Sequence, residues 1–392
     1  MSQLRIVMVT RRYWPQACDA EMMMANLAGE LHRQGHQVVV LTAQWETTWP
    51  SEVLHRELPV IRLPQPKVRG WGTIRYMHSL SRWLRKHRHE YDAVIVSGLR
   101  HDAYATLTAL RGSTIPVLLR CEAVGSAGDC AWQQTARFGS RIRGICLTAD
   151  ALIAPNATVV DELSRALYAL DRIHIVAGGV SLPEPRTLQR QSAARASICE
   201  ANMSLEVHPS APVVVTTGRL QSGGGHLDLV YAWERVARRE PNGRLWMIGD
   251  GPERDVIYDL MVDLGLHHQV FMPGAFDDHA ELLDAADLYV QPTTEEGQSL
   301  GLLEAMAVGV PVIATDIASH RHLIEHNVHG WLVPPHDPVA LQLAMERLLA
   351  DRALTQRLGT NARQRVAQDF SLVRMARQHI ELIERLIATH SK

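Results

Sequence analysis

Long hydrophobic runs are missing from this chain of 392 residues. No stretch approaches the roughly 20 apolar residues that span a bilayer. Cysteine is sparse: Cys18, Cys121, Cys130, Cys146 and Cys199 form an odd, dispersed set without any Cys-x-x-Cys. A reduced, cytoplasmic setting with no disulfide framework fits best. Neither sign of charge is in excess, the formal net being −2, so nucleic acid is not an expected partner. The start, Leu4-Arg5-Ile6-Val7-Met8-Val9, is too short and too soon interrupted for a signal peptide. Histidine is plentiful, with 20 copies and close pairs at His87/His89, His267/His268 and His320/His322. None of these pairs has zinc spacing with further ligands, so surface histidines are expected and neither a metal nor a cofactor.

The length predicts two domains, since single cores rarely grow beyond roughly 250–300 residues. In the first half, Val- and Ile-rich strand candidates at 4–10, 37–43, 60–64, 92–97, 116–121, 151–155 and 172–177 alternate with helical ones. The helical candidates are 21–34, 73–89, 101–111, 130–148 and 157–168. Short strands without polar alternation are covered on both faces, and this rhythm predicts an α/β fold with a parallel, doubly wound sheet. Pro183, Pro185, Pro209 and Pro212 break the rhythm. We therefore expect a first domain over 1–182, a linker over 183–212 with one helix near 187–200, and a second alternating domain over 213–371. Helices near 338–349, 352–368 and 372–389 close the chain.

One segment concentrates the chemistry. Glu296 and Glu304 stand eight residues apart in Glu296-Gly297-Gln298-Ser299-Leu300-Gly301-Leu302-Leu303-Glu304. Leu288-Tyr289-Val290 upstream reads as a buried strand, and Leu300, Leu303 and Met306 recur at helical spacing downstream. The turn therefore opens a helix whose first amides, near Ser299 and Leu300, face any anion placed there. Carboxylates flanking an anion-binding helix start suit a ligand with both hydroxyls and phosphates, such as a nucleotide-sugar.

This pattern resembles the E-x7-E signature of the retaining glycosyltransferases of family 4, which have the two-domain GT-B architecture. Gly218-Arg219-Leu220, Ile248-Gly249-Asp250-Gly251-Pro252 and Val270-Phe271-Met272-Pro273-Gly274 resemble the family in order and spacing. So do Gly309-Val310-Pro311-Val312-Ile313-Ala314 and Gly330-Trp331-Leu332-Val333-Pro334-Pro335. The resemblance implies two Rossmann-like domains facing each other across a cleft, with residues 372–392 returning to the N-terminal, acceptor-side domain. It further implies transfer of a sugar, with retention, from a UDP- or GDP-linked donor to an acceptor that is a glycan, a lipid-linked sugar or a small molecule. No Asp-x-Asp occurs, which removes the metal–diphosphate anchor of the other large glycosyltransferase fold.

By the resemblance, Arg219 stabilises the departing diphosphate; a permanently charged, two-pronged side chain suits that task. Glu304 takes the ribose hydroxyls and Glu296 lies near the transferred sugar, each able to accept several hydrogen bonds. Glu304 sits among Leu302, Leu303, Ala305, Met306 and Ala307, and a glutamate so placed needs a partner. The donor set is completed by Gly223, Gly224, Gly225, Gly249, Gln298, Ser299 and Leu300, with Met272 to Phe276 beside the base through backbone. On the acceptor side the resemblance points to Cys18, Asp19 and Glu122, although Asp19 or Glu21 can simply cap the first helix.

The chain departs from the family in three places. A lysine usually precedes the last glycine of the loop after Arg219, and here Gly224 stands there. The triple glycine is either a phosphate cradle of backbone amides or a flexible turn. Cys18-Asp19-Ala20-Glu21 replaces the usual Gly-Gly-x-Glu, and Arg120-Cys121-Glu122 lacks a common histidine. These gaps keep a second reading open, a catalytically weak donor-binding partner subunit. A third is a serine hydrolase, because Gly297-Gln298-Ser299-Leu300-Gly301 satisfies G-x-S-x-G. That motif needs its serine directly off a strand, whereas Thr293-Thr294-Glu295-Glu296 is a loop-like lead-in. Finally, residues 75–88 form a basic amphipathic helix, with Ile74, Met77, Leu80 and Leu84 expected inward and Arg75, Arg82, Arg85 and Lys86 outward. It is either a solvated face or a peripheral membrane contact at the inner leaflet.

Overall fold

The computed structural model describes residues 3–15, 19–68, 70–121, 123–276 and 278–390. Cys18 and Glu122 lie outside these residues, and of Asp19 only its place at the start of a helix is described. The chain divides into two units, one of residues 1–179 with 372–392 and one of residues 180–371.

The first unit is built on an eight-stranded sheet. Its strands are β1 (Arg5–Val9), β2 (Gln37–Gln44), β3 (Glu52–His55), β4 (Leu58–Pro64), β5 (Ala93–Ser97), β6 (Val117–Arg120), β7 (Ala151–Ala154) and β8 (Ile173–Ile175). Their order is β3-β4-β2-β1-β5-β6-β7-β8, and only β3 pairs antiparallel. This edge strand has no sequence signature, since Glu52 and Leu54 face solvent. The helices of this unit are α1 (Asp19–Arg33), α2 (Trp71–Lys86), α3 (His101–Ala109), α4 (Asp129–Thr135), α5 (Gly139–Cys146) and α6 (Ala157–Arg165).

Two expectations are corrected here. The helix expected over 130–148 is broken, because Ala136 is extended and the chain folds back so tightly that a Cβ on Gly139 would lie 2.0 Å from the Gln133 carbonyl. In α2, Ile74 is 53% exposed and Tyr76 is fully buried. The close approach of Gly72 to the Pro66 carbonyl selects the face Gly72, Tyr76, Leu80 and Leu84 instead.

The second unit opens with α7 (Leu188–Ala201), capped by the Thr187 side chain on the Arg190 amide. The segment expected as linker thus belongs to this unit. Arg190 and Arg195 anchor it through Asp284 at 2.6 Å and Asp287 at 2.7 Å. The strands β9 (Val213–Thr217), β10 (Arg244–Ile248), β11 (Val270–Gly274), β12 (Leu288–Gln291), β13 (Val312–Thr315) and β14 (Trp331–Val333) form a parallel sheet in the order β11-β10-β9-β12-β13-β14. Counted within the unit this is 3-2-1-4-5-6, the dinucleotide-binding order, with its switch point between β9 and β12. Strands β9, β12 and β13 are buried throughout, as strands covered on both faces must be.

The remaining helices are α8 (His226–Ala237), α9 (Arg254–Asp263), α10 (Ala280–Ala285), α11 (Leu300–Val308), α12 (Ala318–Leu323), α13 (Pro338–Ala350), α14 (Arg352–Asp369) and α15 (Leu372–His390). Helix α15 joins the first unit, packing on α1. There Arg120 donates to His379 Nε2 at 2.8 Å, and His379 Nδ1 donates to the Met375 carbonyl at 2.7 Å.

Candidate active site

The loops after β9, β10 and β11 are tied edge to edge by backbone. Gly218 donates to the Ile248 carbonyl, Leu220 to that of Asp250, and Gly249 to that of Gly274, at 2.9–3.1 Å. A Cβ on Gly249 would lie 1.8 Å from the Gly218 carbonyl, and one on Gly251 2.2 Å from that of Leu220. Only glycine permits this approach, and Gly249 also takes φ +152. Arg219 projects from this seam and is exposed. Met272 lies in β11, where its carbonyl accepts from Arg254 at 2.6 Å, and Phe276 follows the strand, 39% exposed.

The glycine loop meets the glutamate segment at the switch point. The Gly223 carbonyl accepts from the Thr294 amide at 2.8 Å and the Thr293 hydroxyl at 3.0 Å. Gly225 has φ +70, and a Cβ there would lie 1.9 Å from the Pro292 carbonyl. The chain after β9 is therefore clamped to the chain after β12.

Helix α11 begins at the same place. Ser299 caps it, its Oγ accepting from the Leu302 amide at 3.2 Å, and Gly309 ends it at φ +89. Gly301 admits the helix start onto the sheet, since a Cβ there would lie 2.1 Å from Thr217 Oγ1 and 2.5 Å from the Tyr289 hydroxyl. Ser299 is buried, its hydroxyl is engaged as the cap, and β12 ends eight residues before it at Gln291. It is no nucleophile elbow, and the hydrolase reading falls.

The two glutamates are held by histidines. Glu296 Oε2 faces His320 Nε2 at 3.3 Å and the Gln291 amide nitrogen at 3.4 Å. Gln291 is itself oriented by the Tyr289 hydroxyl, which donates to its Oε1 at 2.7 Å. His320 is fully buried in α12, and its Nδ1 lies 2.8 Å from the Thr315 carbonyl. Surface placement was the expectation for this histidine. Burial follows from the short turn after β13, which folds α12 back over the strand end. Glu304 lies on the one part-exposed position of α11, and its Oε2 meets His279 Nδ1 at 2.9 Å. His279 and His320 had no spacing signal, because each reaches its glutamate from another element, 25 and 24 residues away.

Comparison with known proteins identifies the family. The profile "Glycosyltransferase Family 4" matches residues 20–183, and "Glycosyl transferases group 1" matches residues 202–365. The chain belongs to the family 4 glycosyltransferases, with the GT-B fold. Among curated relatives of the family, the D-inositol 3-phosphate glycosyltransferase of Nocardia farcinica is 31% identical over 67% of this chain and 56% of its own length. The lipopolysaccharide core biosynthesis glycosyltransferase LpsE of Rhizobium meliloti is 31% identical over 46% of this chain and 52% of its own. The chain spans about half the length of the curated relatives it matches. Among solved structures, sucrose-phosphate synthase from Thermosynechococcus elongatus superposes with TM-score 0.83 at 22% identity, over 99% of this chain and 100% of that one. Anabaena HepE in complex with UDP and glucose superposes with TM-score 0.78 at 19% identity, over 98% and 100%. At such identities these structures speak for the fold.

Proposed function

We propose that the chain transfers a sugar from a UDP- or GDP-linked donor to an acceptor, with retention at the anomeric carbon. The observation that carries this reading is the clamp over β9 and β12, where the Gly223–Gly225 loop is tied to the segment bearing Glu296 and the start of α11. An open parallel sheet takes its ligand at that switch point. The first amides of α11 lack intrahelical acceptors and suit a diphosphate, with the exposed Arg219 as the cation that meets charge on the leaving group. Glu304 receives the ribose hydroxyls and Glu296 those of the sugar. HepE has been crystallised with UDP-glucose, which supports this donor class.

The site then works by positioning and by electrostatic stabilisation of the leaving diphosphate. The acceptor, a glycan, a lipid-linked sugar or a small molecule, goes to the first unit, where Cys18, Asp19 and Glu122 are proposed contacts. No helix among the described residues is long and apolar enough to cross a membrane. Exposed Val68, Trp71 and Ile74 beside the basic face of α2 support peripheral contact with an anionic inner leaflet from the cytoplasm. Co-sedimentation with anionic vesicles, lost in Trp71→Ser, tests that contact; equal pelleting with neutral vesicles counts against it.

Gly224, in place of the usual lysine, favours one rival: a partner subunit that binds donor without turnover. A panel of UDP- and GDP-sugars separates the two. Slow release of nucleoside diphosphate from one donor supports the transferase, binding without release supports the partner subunit, and no binding at all sinks both.

A further inference from the structure

A polar chain runs under the start of α11, where a parallel sheet ordinarily buries apolar side chains. Tyr289 and Gln291 alternate onto one face of β12, and the register of Tyr289 with Val215 brings Thr217 of β9 alongside them. The Tyr289 hydroxyl lies 2.9 Å from Thr217 Oγ1 and 2.7 Å from Gln291 Oε1, and Gln291 Nε2 lies 3.4 Å from Glu296 Oε2. Thr217, Tyr289 and Gln291 are all buried, at 4%, 0% and 7% exposure. Polar groups so placed cost stability unless they bond one another. The amide oxygen only accepts and the amide nitrogen only donates, so the chain has two proton orders. With Nε2 toward Glu296, Tyr289 donates to Oε1 and accepts from Thr217. With the amide turned over, Oε1 would face the carboxylate, acceptor against acceptor. Only the first order bonds Glu296, and its shortest link is the one from Tyr289.

We propose, resting on the reading of Glu296 as the carboxylate beside the transferred sugar, that Tyr289 is a positioning residue for the transfer. Its hydroxyl holds Gln291 Oε1 and thereby aims the amide protons at Glu296. Glu296 stands on the chain between β12 and α11, so no ladder or helical hydrogen bond fixes its direction. The amide supplies that direction from the β9 and β12 side, as His320 does from α12. Without the hydroxyl, the amide keeps only its longest link, the 3.4 Å contact with the carboxylate. Gly301 rests on the same two hydroxyls, but the helix start needs only the room that glycine leaves there. Removing the Tyr289 hydroxyl therefore acts on Glu296 and spares the start of α11.

The test measures release of UDP or GDP from the donor sugar that the unaltered chain hydrolyses, beside titration calorimetry with the same nucleoside diphosphate. Tyr289→Phe should lower turnover at saturating donor about tenfold and leave the diphosphate affinity within about twofold. Gln291→Met, which keeps the length of the side chain without its amide, should do the same. Because Tyr289 acts through Gln291, the double variant should be no slower than Gln291→Met alone. Full turnover in Tyr289→Phe overturns the proposal. So does an equal loss of affinity, which marks a hydroxyl that merely supports the fold, and so do losses that multiply in the double variant. If Tyr289→Phe does not fold, Gln291→Met decides by the same split between turnover and affinity. A chain that releases diphosphate but is indifferent to these changes loses this role alone. No release from any donor by the unaltered chain overturns the donor reading and this role with it.

Discussion

His320 bridges Glu296 to the end of β13. Both ring nitrogens face oxygen acceptors, the Thr315 carbonyl at 2.8 Å and the Glu296 carboxylate at 3.3 Å. His320 and the Gln291 amide both hold Glu296 through Oε2.

His320→Leu removes that support. We expect the second unit to lose about 1.5–3 kcal/mol in urea unfolding, the scale of a hydrogen bond to a charged group. Donor turnover should fall more than donor affinity, because Glu296 is displaced without touching the nucleotide contacts. Unchanged turnover in a folded His320→Leu chain would show that Glu296 needs no such support.

Glu304→Ala should weaken nucleoside diphosphate binding at least about tenfold, by loss of the ribose contact. His279→Ala, which frees the carboxylate without removing it, should cost less. Titration calorimetry on both variants checks the order, and the reverse order would move the ribose contact to His279.

Arg219→Ala should depress turnover by ~10²-fold or more at saturating donor, the effect of removing a placed electrostatic stabiliser. A variant that loses only affinity would make Arg219 a ground-state contact.

Acid should destabilise the fold through two buried neutral rings. Burial holds His226 down to about 4, and burial followed by the charge of Arg120 holds His379 down to about 3. A histidine with a depressed folded value is protonated first in the unfolded chain. The unfolded state then binds more protons below the ordinary value of about 6.5, and stability falls as pH drops from there toward the folded value. Each ring costs roughly 1 kcal/mol or more per pH unit in that window. Urea midpoints should decline from about pH 7 to about pH 5, and His379→Gln should flatten the decline; a rising midpoint contradicts the assignment.

The fold was largely legible because parallel strands covered on both faces leave runs such as Val213–Val215 and Ala93–Val96 in the sequence. The helix start after Ser299 was legible too, from a small-residue turn before an apolar run. The histidines were not. His279 and His320 gain their meaning from Glu304 and from Glu296, contacts that no periodicity encodes. The break at Ala136 and the inward turn of Tyr76 were hidden for a similar reason, since close backbone approaches at Gly139 and Gly72 override the helical pattern.

The central claim is retaining transfer from a nucleotide-sugar at the β9/β12 switch point. Proton NMR of donor hydrolysis, followed from the first turnover in the wild-type chain and in Glu296→Gln, tests it most directly. The account predicts release of a sugar whose first-formed anomer has the donor's configuration, with release lost in Glu296→Gln. An inverted first anomer, or equal release by Glu296→Gln, would contradict it.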